Sequence, residues 1–153
     1  MPNAYVIDAK EEHIEHIAQH MRSADVLEVE ASGVWSPEQA LYNGLISSSK
    51  VWTALIGDEP ILMFGVVPVS VLGGVGSPWL LGTDRVLDIK RQFIKECRHY
   101  VDEMLKLYPK LTNYTDCRNT VSHRWLAWLG FELEDAFPIG MNNEPFYRFS
   151  KKA

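Results

Sequence analysis

Three histidines, His13, His16 and His20, fall at i, i+3 and i+7, which on a helix is one stripe that could hold a metal ion. No carboxylate or cysteine pattern completes such a site, so the expected arrangement is three surface histidines beside a core stripe of Ile14, Ile17 and Met21. Ser122 and His123 are sequence neighbours, which on a helix point to different sides and form no nucleophile–base pair by adjacency. His123 is expected to be structural or to face a ligand gap. The two cysteines, Cys97 and Cys117, lie in no CxxC pair and have no histidine at ligand spacing, so they make no zinc site. Cys97 reads as a small buried apolar residue. Cys117, at the end of a predicted strand, reads as a pocket-lining residue without a catalytic role. Lys90, Arg91, Lys95 and Arg98 put positive charge on one predicted helix, with Glu96 and Asp102 making it an ordinary solvated face. The formal net charge of −5 argues against a nucleic-acid surface, which needs clustered cations.

The elements that must position such residues can be read from pattern. At 153 residues with 46% apolar content, residues 1–153 suit one domain with a real core. The N-terminus shows no signal peptide pattern. The apolar run Ile61 to Val75 is broken by Pro68, Ser70 and glycines, so no membrane span and an intracellular, soluble protein are expected. Strand 5–8 precedes helices over 11–22 and 24–31. Ser36-Pro37-Glu38-Gln39 is a capping box with proline in the first turn, predicting a helix to about residue 48. Strands 51–56 and 61–67 form a hairpin around Gly57-Asp58. Residues 72–78, rich in glycine, read as a flexible connection, and strand 79–83 follows. A helix over 87–107 should bury Ile94, Cys97, Val101, Leu105 and Tyr108. Strand 111–117, helix 119–129 and strands 131–134 and 146–150 complete the chain. Strands 79–83 and 111–117, joined by a helical crossover, should be parallel in an otherwise antiparallel sheet. Of the five tryptophans, Trp79, Trp125 and Trp128 fit core positions, whereas Trp35 and Trp52 are expected on the substrate side.

Residues 119–131, Asn-Thr-Val-Ser-His-Arg-Trp-Leu-Ala-Trp-Leu-Gly-Phe, form a complete physical unit. Asn119 caps a helix, Val121, Trp125, Trp128 and Leu129 give its apolar face, and Gly130 and Phe131 stop it. This capped helix after a strand, with the element order, resembles the last helix of the GNAT N-acyltransferase superfamily. Across 79–131, Trp79-Leu-Leu-Gly-Thr-Asp84, the basic helix, Asn113-Tyr114, Asn119-Thr120 and Ser122-His123 are similar to GNAT-like proteins of tailed bacteriophages, including internal virion proteins of short-tailed phages.

The resemblance implies an α/β (α+β) GNAT-like fold: a mixed, mostly antiparallel sheet with a parallel, splayed strand pair and helices on both faces. It implies acetyl-CoA in the gap between those strands, held by Leu81, Gly82, Thr83, Arg85, Lys90, Arg91, Asn119 and Ser122. Asp84 or Glu28 would serve as base, with Glu30 beside Glu28, and Tyr114 as a nearby acid. The bland readings are a turn or cap residue for Asp84 and a solvated helix face for Glu28 and Glu30. Two departures bear on the chemistry. No glycine lies between Thr83 and Leu129, where the superfamily has a Gln/Arg-x-x-Gly-x-Gly/Ala phosphate loop, and Asp88 is the expected cap there. The superfamily's tyrosine seven residues after the asparagine falls on Leu126. Two functions therefore follow: an acetyl-CoA-dependent transfer to an amine on a small molecule or protein in the host cytoplasm during infection, or a non-catalytic virion or assembly component contacting phage structural proteins.

Overall fold

The computed structural model describes residues 3–31, 36–139 and 143–153. Among them, seven strands form one sheet in the order β1-β2-β3-β4-β5-β7-β6. The strands are β1 (Ala4–Asp8), β2 (Lys50–Ile56), β3 (Glu59–Ser70), β4 (Val75–Gly82), β5 (Lys110–Asp116), β6 (Glu132–Ile139) and β7 (Glu144–Lys152). The helices are α1 (Ile14–Gln19), α2 (Ser23–Ala31), α3 (Pro37–Ser47), α4 (Lys90–Leu107) and α5 (Thr120–Trp128). Every neighbouring pair of strands is antiparallel except β4 and β5. The mixed sheet and the parallel pair are as expected. No helix among the described residues is long and apolar enough to cross a membrane.

Helices cover both faces. On one, α1 and α3 bury Ile14, Ile17 and Leu41 against Met63, with Trp79 and Leu81 packed alongside. On the other, α4 buries Phe93, Cys97, Val101 and Met104 against Phe64, Val66 and Leu111, and Trp125 and Leu126 of α5, with Leu129 at its end, join them. Phe93 and Met104 thus replace the expected Ile94 and Leu105, which are only half-buried. The phase is set by aromatic packing, Phe93 lying edge-on to Phe64 at 5.7 Å. Trp52 also departs from expectation. It belongs to the α4-side core, stacked on Phe64 at 5.3 Å, and does not face the substrate side. Trp35 lies outside the described residues.

Local caps follow the sequence closely. Ser36 accepts from the Gln39 amide while the Gln39 side chain accepts from the Ser36 amide. Ser36→Ala removes one half of this box, and an expected loss of about 1 kcal/mol is readable by urea denaturation. At the end of α5, the Gly130 amide donates to Ala127 O and the Phe131 amide to Leu126 O. Gly130 has φ +92°, which explains the glycine. The first histidine breaks the expected stripe. His13 lies in a 3-10 turn ahead of α1, buried, with Nδ1 2.8 Å from Thr53 Oγ1. Burial holds it below the usual imidazole range. His16 on α1 and His20, just past its end, remain together, their rings stacked at 4.3 Å.

The residues expected to form a loose connection instead start β4. Gly76 is required there, since a Cβ would stand 2.6 Å from the Tyr108 ring. The β4–β5 ladder holds only at Val75–Lys110 and Gly76–Leu111. The next donor from β4 to β5 would be the amide of residue 78, which is Pro78 and has none. Pairing stops there and the strands diverge.

Candidate functional site

Where β4 and β5 part, a gap of about 630 Å3 opens through the sheet. Its α4–α5 side is walled by Phe93, Cys97, Met104, Trp125, Leu129 and Phe131, while Glu28, Asn43, Ser77, Asn113, Tyr114 and Ser122 line it with polar groups. Volume and lining are those of a small-molecule site: mostly apolar, with a few convergent polar atoms.

The edge of β4 facing the gap has a definite register. Pro78 O accepts from Asn113 Nδ2 at 2.7 Å, and the Gly82 amide donates to Asp25 Oδ2 at 2.9 Å. Both lie across the gap from β3, so by strand alternation the Leu80 N–H and C=O point there too. The side chain of Leu81 lines the gap, but its backbone groups face β3, where it pairs with Met63. Gly82 is already engaged on both sides, since the Arg22 amide donates to Gly82 O at 2.8 Å. Leu80 is therefore the backbone position that sequence reasoning missed by one residue. Only the Pro78 break, combined with the pairing partner, reveals it.

Helix α2 ties the two parted strand ends together. Asp25 and Glu28 stand at i and i+3, on one face of the helix. Asp25, 2% exposed, holds the Gly82 amide at the end of β4 and accepts two hydrogen bonds from Arg22, at 3.2 and 2.8 Å. Glu28 reaches β5. Its Oε1 accepts from the Asp116 amide at 3.0 Å, Thr115 Oγ1 at 3.2 Å and Asn119 Nδ2 at 3.1 Å. The solvated-face reading for Glu28 is thus overturned, whereas Glu30 is exposed as that reading supposed.

Burial pushes the Glu28 carboxyl above its ordinary range, the three hydrogen bonds opposing that only in part. The neighbouring Asp116 goes the other way, because the Arg118 guanidinium hydrogen-bonds it and holds it low. The two carboxyls are thus shifted in opposite directions, and of the two only Glu28 lines the gap. Asn119 explains its residue type here: Oδ1 caps α5 by accepting from the Ser122 amide at 3.4 Å, and Nδ2 donates to Glu28. An ionised aspartate in the same place could accept but not donate.

The other expected site residues divide. Tyr114 and Ser122 line the gap. Asp84 is exposed beyond the end of β4 and is not among the gap-lining residues. Thr83 caps the 3-10 turn Asp84–Ile89, accepting from the Arg85 amide at 3.3 Å. Arg85 is engaged with Glu59 at 2.7 Å and Asp88 at 2.9 Å. Asp88 therefore caps no helix, contrary to expectation, and spends its carboxylate on Arg85. Lys90 and Arg91 are exposed at the start of α4. His123 faces away from the gap, with Nε2 2.9 Å from Asp116 O and the ring edge-on to Tyr147. Burial pushes the Cys97 thiol up to about 12, so it is an inert part of the wall.

An acyl-CoA fits this gap in one part and not in another. A long, thin arm with an amide or thioester oxygen suits the slot. Leu80 N–H points into it, and Trp125 Nε1, on its wall, is buried with no hydrogen-bond partner among the described residues. At the head of the slot two backbone amides that could meet a pyrophosphate are already engaged. The Arg85 amide is taken by Thr83 Oγ1, and the Val86 amide donates to Thr83 O. Lys90 and Arg91, exposed at the start of α4, are the nearby free cations in sequence.

No protein-family model and no curated protein sequence matches the chain. Solved structures do. A GNAT-family acetyltransferase from Bacillus anthracis superposes with a TM-score of 0.73 at 11% identity, over 99% of this chain and 96% of that one. Spermidine N-acetyltransferase from Vibrio cholerae, in complex with CoA and spermine, gives 0.71 at 10% identity, over 97% and 95%. AAC(6′)-Ib with ribostamycin and coenzyme A gives 0.68 at 15% identity, over 98% and 93%. The likeness is one of fold: the sheet, the single parallel pair and the helices on both faces are those of the GNAT acetyltransferases.

Proposed function

We propose that the chain is an N-acyltransferase that uses an acyl-CoA donor and an amine acceptor. The observation that carries this is Glu28, a desolvated carboxylate on the wall of the gap where the sheet comes apart. A bound acyl-CoA supplies the activated acyl carbon. Glu28 takes the proton from the incoming ammonium, directly or through water, so that the amine lone pair can form the new C–N bond as the C–S bond breaks. The Leu80 N–H donates to the carbonyl oxygen as charge builds on it. Tyr114 returns a proton to the departing thiolate in place of the residue that Leu126 replaces. Asn113, tied to Pro78 O, fixes the narrow end of the slot, and Lys90 and Arg91 take the donor's phosphates.

Two measurements test this together. Millimolar acetyl-CoA should raise the melting temperature by mass action, and acyl transfer to a panel of polyamines, aminoglycosides and peptide N-termini should release free thiol. No thermal shift with any CoA thioester sinks the proposal. Rate should climb with pH through a midpoint above the ordinary carboxylate range, because Glu28 works only once ionised. Stability moves oppositely. A carboxyl raised on folding binds more protons folded than unfolded, so its contribution is present at low pH and lost as pH rises through the raised value. Glu28→Gln should remove both slopes, measured by initial rates and by denaturation from pH 4 to 8.

A second reading is supported by the phage-protein resemblance of residues 79–131 and by the exposed tip between β3 and β4, where Val71 is 76% exposed and Leu72 fully so. In it the same fold is a virion or assembly component in which that tip meets another phage protein. Absence of the chain from purified particles removes this reading.

A further inference from the structure

Resting on the acyltransferase reading, we infer that the acceptor is a peptide-like amine that also carries a carboxylate, and that Arg148 on β7 holds this carboxylate at the rim of the gap. The strand register fixes where Arg148 stands. Cross-strand partners share a face of the sheet, and successive residues alternate between faces. On β7, Phe149 joins the α4-side core and Lys151 donates to Leu129 O at the end of α5. Phe146 and Arg148 therefore stand on the opposite face, the side of α1 and α3. Tyr114 is the partner of Arg148 across the ladder. Both Tyr114 and Phe146 line the gap, so Arg148 is flanked by gap-lining residues.

Arg148 is half-buried, and its surroundings differ from those of the other arginines. Arg22, Arg85 and Arg118 each pair with a carboxylate, and Arg98 lies over the Trp128 ring. Arg91 and Arg124 are exposed on helices. Arg148 donates from Nε to Thr112 Oγ1 at 3.2 Å, and no carboxylate among the described residues pairs with it. The chain's other residues, 1–2, 32–35 and 140–142, include no acid. The bond to Thr112 steadies the guanidinium and leaves its terminal N–H groups for a ligand, the paired donors that suit a carboxylate. Nearby charge favours an anion. Lys110 and Lys152 oppose each other further along the same face. Asp116 and Glu144, toward its other end, lie beside Arg118. Glu132, opposite Ser150 on β6, is exposed and makes no ion pair with Arg148. On a chain of net charge −5 this is a local surplus of positive charge.

The spacing narrows the acceptor further. Glu28, which receives the amine's proton, meets β5 at the Asp116 amide. Arg148 stands opposite Tyr114, two residues back along β5 and one strand across. Two steps of strand are about 7 Å and one strand spacing about 5 Å, so the two positions are roughly 8–9 Å apart. An α-amino acid bears both groups on one carbon and is too short. Extended chain covers about 3.5 Å per residue, so a peptide amine with a carboxylate two or three residues on spans the distance.

The test uses the full chain, acetyl-CoA and two peptides with the same amine: triglycine, which ends in a carboxylate, and triglycine amide, which does not. Initial rates of thiol release should give triglycine a kcat/KM roughly tenfold higher, expressed in KM, the effect of one charge-assisted contact at a half-buried site. High salt should shrink this ratio. Arg148→Gln should bring it to about one, and Arg148→Lys should keep part of it. Equal use of the two peptides, or preference for the amide, overturns the inference. So does an unchanged ratio in Arg148→Gln, and so does acylation of other amines with both peptides inert. In each of these cases the acyltransferase reading stands. No acylation of any amine overturns both. If Arg148→Gln does not fold, the wild-type ratio and Arg148→Lys decide.

Discussion

Turnover by the Glu28→Gln protein is expected to fall by roughly two to four orders of magnitude, the usual weight of a general base. Glutamine is the informative substitution because its amide oxygen can still accept from the Asp116 amide, Thr115 and Asn119. The strand end stays held and the proton acceptor is gone. Glu28→Ala would confound the two, leaving three buried donors without an acceptor. Steady-state kinetics with saturating amine should show the loss in kcat. An undiminished kcat in the glutamine protein would move the base elsewhere. Asp84, exposed and off the gap, could then act only through a chain of water.

Asp25→Ala should be the most destabilising single change, by about 3–5 kcal/mol in urea denaturation. Its side chain is 3% exposed and that of its partner Arg22 is 9% exposed. Removing the carboxylate strands a buried guanidinium and frees the Gly82 amide at once. In the native protein burial and the Asp25 pair act oppositely on Arg22, and the pair wins. With Asp25 gone the guanidinium is still too basic to neutralise itself and escape the cost. Replacing Arg22 and Asp25 together with leucine and methionine should restore part of the loss, because a buried pair exchanged whole for apolar groups costs far less than a broken one. A loss below about 1 kcal/mol for the single alanine change would show that water reaches Arg22.

What could be read from the sequence was local. Ser36-Pro37-Gln39 and the stretch from Asn119 to Phe131 announced their helices because cap and stop lie within a dozen residues of one another, but the face of the second was misread: Trp125, Leu126 and Leu129 pack on the core, and Val121 and Trp128, expected there, are exposed. The parallel pair followed from a helical crossover. The site was less legible, because its geometry depends on partners far along the chain. Glu28 was a candidate, yet its burial comes from Thr115, Asp116 and Asn119, some ninety residues away, with separations of 87, 88 and 91. Asp25 carried no signal at all, since an acidic residue near a helix start is ordinary. The glycines and proline of 72–78 were read for flexibility, when two of them have fixed uses in β4: Gly76 leaves room for the Tyr108 ring and Pro78 withholds a hydrogen-bond donor. Trp52 was misplaced because both faces of the sheet are buried, so alternation alone does not say which helix layer a residue meets.

The carboxylates of α2 also bear on how the chain folds. Asp25 and Glu28 are made early in the chain, but their partners Gly82 and Asp116 lie 57 and 88 residues downstream. Closing loops of that length is entropically unfavourable and brings reward only after β4, β5 and α5 have formed. The joining of α2 to the strand ends therefore belongs after the rate-limiting barrier. Substitutions at either carboxylate should quicken unfolding while barely slowing refolding. The aperture of the gap is then the last part of the molecule to be assembled and the first to loosen. In a chevron plot Asp25 and Glu28 would move only the unfolding limb.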